Sequence, residues 1–206
     1  MQVFFDVGAE LGLDSVPVAK NNPDILVYAF EPNPHMVEHL KTQSQGLDNY
    51  IIIPVAVSDY SGYSNFNICK EHPGICSLLD FDNDGVKNWS WAGFPVYTDE
   101  KIEIEVIRLE TFIKENNIKK IDFFHCDTQG SDLNVLKGMG DYIHLIEEGQ
   151  VEAELYKKSL YQNQNKYKET IEFITSKGFE VYKIDAEGGM RECNIKFRKA
   201  PLTFSI

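Results

Sequence analysis

The stretch QVFFDVGAELG, residues 2–12, and the later VYAFEPNP, residues 27–34, decide the fold. Gln2 to Asp6 is an apolar run of strand length, broken by the glycine-spaced turn Gly8-Ala9-Glu10-Leu11-Gly12. A second apolar run, Leu26 to Phe30, ends on the acid Glu31 just before Pro32. Strand, tight turn, short helix and second strand ending in a carboxylate make one nucleoside-binding half of an α/β sheet. The glycines let backbone approach a ligand closely, and an acid about 20 residues past the turn accepts hydrogen bonds from ribose hydroxyls. The stretch predicts a nucleoside-containing cofactor.

The turn also narrows the choice of cofactor. A dinucleotide fingerprint reads G-x-G-x-x-G and sets a pyrophosphate on a helix N-terminus. Here Asp6 precedes the first glycine and Glu10 stands inside the loop. Two acids repel a pyrophosphate but suit a cofactor carrying an ammonium and a sulfonium. D-x-G-x-x-x-G with a later acid is the first signature of proteins that use S-adenosylmethionine (SAM). The competing reading, a glycine turn of any α/β protein, would prevail if Glu31 were absent.

Composition sets bounds. A chain of 206 residues with 43% hydrophobic and 25% charged residues is long enough for one domain with a sizeable core. A formal charge of −12 argues against nucleic acid or an anionic membrane surface as the main partner. The cysteines at 69, 76, 126 and 193 form no C-x-x-C pair, which disfavours a disulfide framework and points to a reducing compartment. No secretory segment and no run long enough to span a bilayer stands out. The expectation is a cytoplasmic protein with no membrane partner and no resident metal.

Along the chain, helix and strand signals alternate. Asp14 or Ser15 caps a short helix with Pro17 in its first turn. Pro34 to Gln45 reads as a helix and Tyr50 to Val57 as one strand. Tyr63 to Ile68 and Lys101 to Ile107 alternate as an antiparallel ribbon would, and the intervening 70–100 shows no helical period. Alternation then returns: a helix over 109–117, a buried strand over 121–126, a helix over 131–138, a strand over 150–155 and a helix over 166–177. Phe179 to Ile184 and Asn194 to Arg198 close the chain as an antiparallel pair. The reading is a single α/β domain over 1–206 with an insertion at about 63–107.

A second constellation follows the fourth core strand. Asp127 stands at a strand end beside Gly130, with a helix beginning at Ser131 or Asp132. Ligands of open α/β sheets bind beyond such ends. The next strand delivers Glu152 and Glu154 on one face, so Asp127 and Glu154 are candidates to meet at the rim of one crevice. A carboxylate there could take a proton from a hydroxyl, orient an amino group or help hold a divalent metal. The plain alternative for Asp127 is a helix N-cap. For the two glutamates it is a solvated strand end.

Taken in order, FFDVGAELG, AFEPNP, AVSDYSG and DTQGSDLNVLKG resemble the FkbM family of SAM-dependent methyltransferases. VIRLETF at 106–112, VEAEL at 151–155 and the closing NIKFRK at 194–199 are similar to it as well. The resemblance implies a class I methyltransferase (Rossmann-like) fold, seven strands mostly parallel with an antiparallel last strand. It implies methyl transfer to a hydroxyl of a sugar, glycan or hydroxylated natural product. Asp6, Gly8, Ala9, Glu10 and Gly12 would hold the methionine half of SAM, Glu31 and Pro32 the ribose, and Ala56, Val57 and Ser58 the adenine. Asp127 would lie near the transferring methyl. Two positions depart from the family: Glu10 stands where asparagine is usual, and His125 where a lysine commonly precedes an isoleucine–aspartate pair.

Such chemistry asks the protein to place a hydroxyl oxygen about 3 Å from the methyl and to remove its proton. Asp127 is the first candidate base and His125 the second, His125 having a free pKa of about 6.5. A satisfied core histidine is the competing reading. The aromatics Trp89, Trp91, Phe94 and Tyr97 of the insertion are candidates to stack on an acceptor ring, against the plainer reading of a small satellite core. Asp80, Asp82 and Asp84 read as a solvated turn. Two other functions stay open: an NAD-dependent oxidoreductase, and a catalytically silent SAM-binding module.

Overall fold

The computed structural model describes residues 1–89, 96–155, 159–187 and 191–200. Seven strands form the main sheet: β1 (Gln2–Val7), β2 (Ile25–Phe30), β3 (Tyr50–Ile53), β7 (Ile121–Cys126), β8 (Ile146–Glu154), β9 (Phe179–Glu187) and β10 (Glu192–Lys199). Their order is β3-β2-β1-β7-β8-β10-β9, and β10 runs antiparallel to both its neighbours while the other pairs are parallel. This is the class I methyltransferase order, with the strand sequence reversing between β1 and β7. Ligands of open α/β sheets sit in the crevice at that reversal.

The central strands are apolar on both sides because both sides are covered. On one face Phe4, Val27, Ala29 and Tyr50 pack with Val16 and Ala19 of α1 (Val16–Asn21) and Leu40 of α2 (Pro34–Gln43). On the other, Phe5, Val7, Phe30 and Phe124 pack with α4 (Leu109–Glu115), α5 (Asp132–Gly138) and α6 (Tyr167–Ser176). Phe4 and Phe5 show the alternation directly. Among the described residues no helix is long and apolar enough to cross a membrane.

The segment Tyr50 to Val57 is two strands rather than one. Pro54 lacks the N–H that a continuing ladder requires, and the chain turns there. β4 (Ala56–Val57) leaves the main sheet and pairs in parallel with β6 (Glu100–Ile107), which pairs antiparallel with β5 (Gly62–Ile68). The ribbon predicted for the insertion therefore forms, with a third strand added. The stretch read as lacking a helix holds α3 (Asn83–Trp89), whose first turn is capped by Asp82: its Oδ1 accepts from Asp84 N and Gly85 N at 2.9 and 2.8 Å.

Candidate active site

At the end of β1 the chain must turn sharply beside the end of β7. Gly8 has φ +87°, and a Cβ there would lie 1.9 Å from the Asp127 carbonyl oxygen, so no other residue fits without moving backbone. The Gly8 and Ala9 amides donate to the Phe30 carbonyl at 2.9 and 3.1 Å, which ties the loop to β2. Glu10 takes φ +45°, rare for a residue with a side chain. Its amide donates to Glu31 Oε2 at 2.8 Å, and Asn33 N donates to Glu31 Oε1 at 2.7 Å. Glu31 thus uses both oxygens to hold the two loops flanking the crevice. Burial pushes its carboxyl up to about 7, against the lowering effect of those amides.

On β7, register places His125 beside Asp6 and leads Asp127 to the strand end. His125 Nδ1 lies 2.9 Å from Asp6 Oδ1, with both residues buried. Burial alone would depress the imidazole; the bond and charge of Asp6, with Asp14 and Asp127 nearby, raise it instead to about 9. Asp127 N donates to Val7 O at 2.9 Å, and Gln129 Nε2 donates to Asp127 Oδ1 at 2.7 Å. Cys126 pairs with Val151, so the next residue of β8, Glu152, stands opposite Asp127 and interacts with it. Burial raises Asp127, Glu152 and Asp132 alike, Asp132 to about 7. Asp132 accepts from Thr128 N at 3.0 Å, closing the turn.

The glycine loop, Glu31 and the end of β7 border a cleft of about 830 Å³, its open mouth included. Of the expected cofactor residues, Gly8, Ala9, Glu10, Glu31, Pro32, Ala56, Val57 and Asp127 line it, as does His125. Asp6, Gly12 and Ser58 do not. Asp6 stands behind His125, Gly12 packs toward Val16 and Leu40, and Ser58 is buried with its hydroxyl on Asp59. Glu154 is also outside the lining: β8 runs two residues past the level of Asp127, and Glu154 is buried where β8 bridges to Lys166. The glutamate that meets Asp127 is Glu152. Sequence spacing marks both, but only the β7–β8 register separates them.

Among the described residues the insertion contributes Phe66, Pro73, Gly74, Cys76 and Leu78 to the lining. Trp91, Phe94 and the side chain of Trp89 lie outside the described residues, and Tyr97 is 40% exposed and not in the lining. A Cβ on Gly74 would approach Glu10 Oε1 to 3.2 Å, which places the turn Pro73–Ile75 directly over the glycine loop. Leu13, Asp14, Thr128 and Gln129 line the cleft although the motif reading assigns them no role. A signal for Gln129 exists: it precedes Gly130, and both take positive φ, +54° and +95°. The lining includes four acids, Glu10, Asp14, Glu31 and Asp127, and no lysine or arginine. Among the described residues no group of His, Cys, Asp and Glu side chains forms a metal site.

A family model described as the methyltransferase FkbM domain matches residues 6–181. The 2-O-methyltransferase NoeI of Sinorhizobium fredii is 26% identical over 146 residues, covering 66% of this chain and 56% of that protein. The 31-O-demethyl-FK506 methyltransferase FkbM of Streptomyces tacrolimicus is 26% identical over 157 residues, 68% of this chain and 60% of its own length. The chain thus aligns with somewhat over half of each relative. In fold it is similar to the crystal structure of magnesium protoporphyrin IX methyltransferase (ChlM) from Synechocystis PCC 6803 with bound SAM. The TM-score is 0.52 at 11% identity, over 97% of this chain and 70% of that one.

Proposed function

The chain belongs to the FkbM family of SAM-dependent methyltransferases, and on that premise we propose that it methylates a hydroxyl of a sugar, glycan or hydroxylated natural product. The observation that carries the reading is one cleft that joins the Gly8–Glu31 loop pair to Asp127. The names of NoeI and FkbM, each an O-methyltransferase, support oxygen as the receiving atom.

The residues fit SAM. The missing Cβ at Gly8 lets the loop close against the Asp127 carbonyl, which brings the glycine loop and Asp127 to one cleft. Glu31, its two oxygens fixed by two amides, keeps lone pairs for ribose hydroxyls. The apolar floor of Phe30, Val55, Ala56 and Val57 suits an adenine. Four acids against the single imidazolium of His125 suit an ammonium and a sulfonium, and oppose the pyrophosphate of a dinucleotide. Bound there, SAM supplies a methyl already activated by its sulfonium.

The chain's own part is to bind, orient and remove one proton. Asp127 is the proposed base, taking the acceptor's proton on its carboxylate as the new bond forms. Burial raises its affinity for that proton. His125, held as an imidazolium by Asp6, is a fixed cation at neutral pH rather than a second base. The turn Pro73–Ile75 lies beside the Glu10 carboxylate and forms one wall of the cleft.

The test is transfer of labelled methyl from SAM to a panel of glycans and hydroxylated natural products, with Asp127→Asn in parallel. Asp127→Asn should keep SAM binding and lose at least about a hundredfold in transfer. Label found on nitrogen or carbon acceptors but on no hydroxyl would overturn the reading.

A further inference from the structure

Asp127 does not end its hydrogen bonds at Gln129. Gln129 Nε2 donates to Asp127 Oδ1 at 2.7 Å, while Tyr161 Oη lies 2.9 Å from Gln129 Oε1 and 2.9 Å from the Ile75 carbonyl. Three contacts therefore run in series: carboxylate to amide, amide to phenol, phenol to carbonyl. With Asp127 ionised the series holds two protons for them, one on the amide and one on the phenol. The phenol proton has two acceptors and can serve only one fully. The series is one proton short.

A proton on Asp127 makes up the deficit. Asp127 then donates to Gln129 Oε1, the amide turns over so that Nε2 donates to the Tyr161 oxygen, and Tyr161 donates to Ile75. No bond to hydrogen breaks along the series beyond the one that delivered the proton; each group only changes direction. All three contacts are then satisfied. We propose that Gln129 and Tyr161 are positioning residues forming a reversible hydrogen-bond chain that receives the acceptor's proton at Asp127. The catalytic use of this relay rests on the methyltransferase reading above.

The surroundings hold the relay in place. Gln129 is kept at φ +54° with its carbonyl accepting from Ser77 Oγ at 2.7 Å, and Gly130 leaves room for the Tyr161 ring, which a Cβ would approach to 3.1 Å. Strain in a residue with a side chain is kept where the surroundings dictate it. Tyr161 is 1% exposed and stacked on Phe81 with ring centroids 5.4 Å apart. Asp82 N donates to Leu160 O and Gln162 N to Asp80 O, both at 2.8 Å, so the insertion and the 159–164 loop are laced together around the phenol. The Ile75 carbonyl at the far end belongs to the turn that forms one wall of the cleft. Besides this relay, Asp127 faces Glu10 across the cleft, His125 on its own strand, Glu152 on β8 and Asp132 on α5. Its titration is therefore that of the Asp127–Glu152 pair.

The test needs no acceptor. Carboxyl carbon shifts of Asp127 and Glu152 and the side-chain amide nitrogen of Gln129 are followed by NMR against pH in the full chain. In the unaltered protein the Gln129 amide signal should move with the same midpoint as the carboxyl pair. Tyr161→Phe keeps the ring and removes the hydroxyl. It deletes one contact from the ionised relay and two from the protonated one, so the midpoint should fall by roughly half to one pH unit, the effect of one hydrogen bond. A Gln129 amide that ignores the carboxyl titration, or an unshifted midpoint in folded Tyr161→Phe, overturns the proposal. Should Tyr161→Phe not fold, the amide titration of the unaltered chain decides alone. Calorimetric titration with SAM separates the two failures: no SAM binding removes the methyltransferase reading, while the NMR titration still decides whether the relay exists.

Discussion

The Asp6 carboxylate lies 2.9 Å from His125 Nδ1, and the two side chains stand side by side in register on adjacent parallel strands, 1% and 10% exposed. The folded imidazole, at about 9, lies above its free value of about 6.5. A group raised in this way contributes stability in full below about 6.5 and loses it as pH rises through about 9. The unfolding free energy from urea titration should fall between pH 7 and 10 by on the order of 2 kcal/mol, and His125→Asn should flatten that part of the profile. A variant whose profile keeps the same fall would show that other groups cause it.

Glu31 accepts a backbone N–H on each oxygen, from Glu10 and Asn33. Glutamine is therefore not a mild change: its amide would turn N–H toward N–H at one of the two loops. Glu31→Gln and Glu31→Ala should each weaken SAM binding by roughly thirtyfold or more, through loss of charge-assisted bonds. Calorimetry on both variants checks this. Affinity retained by Glu31→Gln would mean that the carboxylate orders neither loop nor ribose.

Gly8 and Gly46 both take positive φ, +87° and +81°, yet a Cβ at Gly46 meets nothing within 4 Å while one at Gly8 strikes the Asp127 carbonyl. Gly46→Ala should cost about 1 kcal/mol, the backbone term alone. Gly8→Ala should cost about 3 kcal/mol or more, because β1 and β7 must part to admit the methyl. Urea unfolding of the two variants measures the difference. Equal losses would refute the close approach.

Much of this is legible in the chain, for reasons that differ by element. The limits of β7, 121–126, coincide with those read from sequence, since a mostly apolar stretch is bounded there by the lysines at 119 and 120 and by the turn after Asp127. The glycine loop and Glu31 are legible because their chemistry is local: a turn that needs positive φ, then an acid at fixed spacing. The split of 50–57 is signalled by Pro54 alone, inside an otherwise apolar run that favours one continuous strand. Asp82 reads as a solvated turn; its role as the cap of α3 depends on a seven-residue helix too short to show a period. The choice between Glu152 and Glu154 depends on how β7 registers with β8. Tyr161 reaches Gln129 from 32 residues away, through a loop whose place the insertion sets. Long-range register of this kind leaves no local mark.

Glu10 adds a charge where the family more often has a neutral asparagine, and it faces Asp127 across the cleft. Burial first, then the Asp127 charge, raises its carboxyl, so two acids share a space whose lining holds His125 but no lysine or arginine. Methyl transfer turns a sulfonium into a neutral thioether, so SAM carries one positive charge more than its product S-adenosylhomocysteine. The acids should hold the charged cofactor better and let the product go. At low salt SAM should bind roughly threefold to tenfold more tightly than S-adenosylhomocysteine, as expected for one partly screened charge pair. Glu10→Gln should narrow that ratio while changing affinity for the product little, and about 0.5 M salt should narrow it in the unaltered protein by a similar amount. Paired calorimetric titrations give both ratios. Should the product bind as tightly as SAM at low salt, the acids would be answering to something other than the sulfonium, and the acceptor's own charge would be the next quantity to vary.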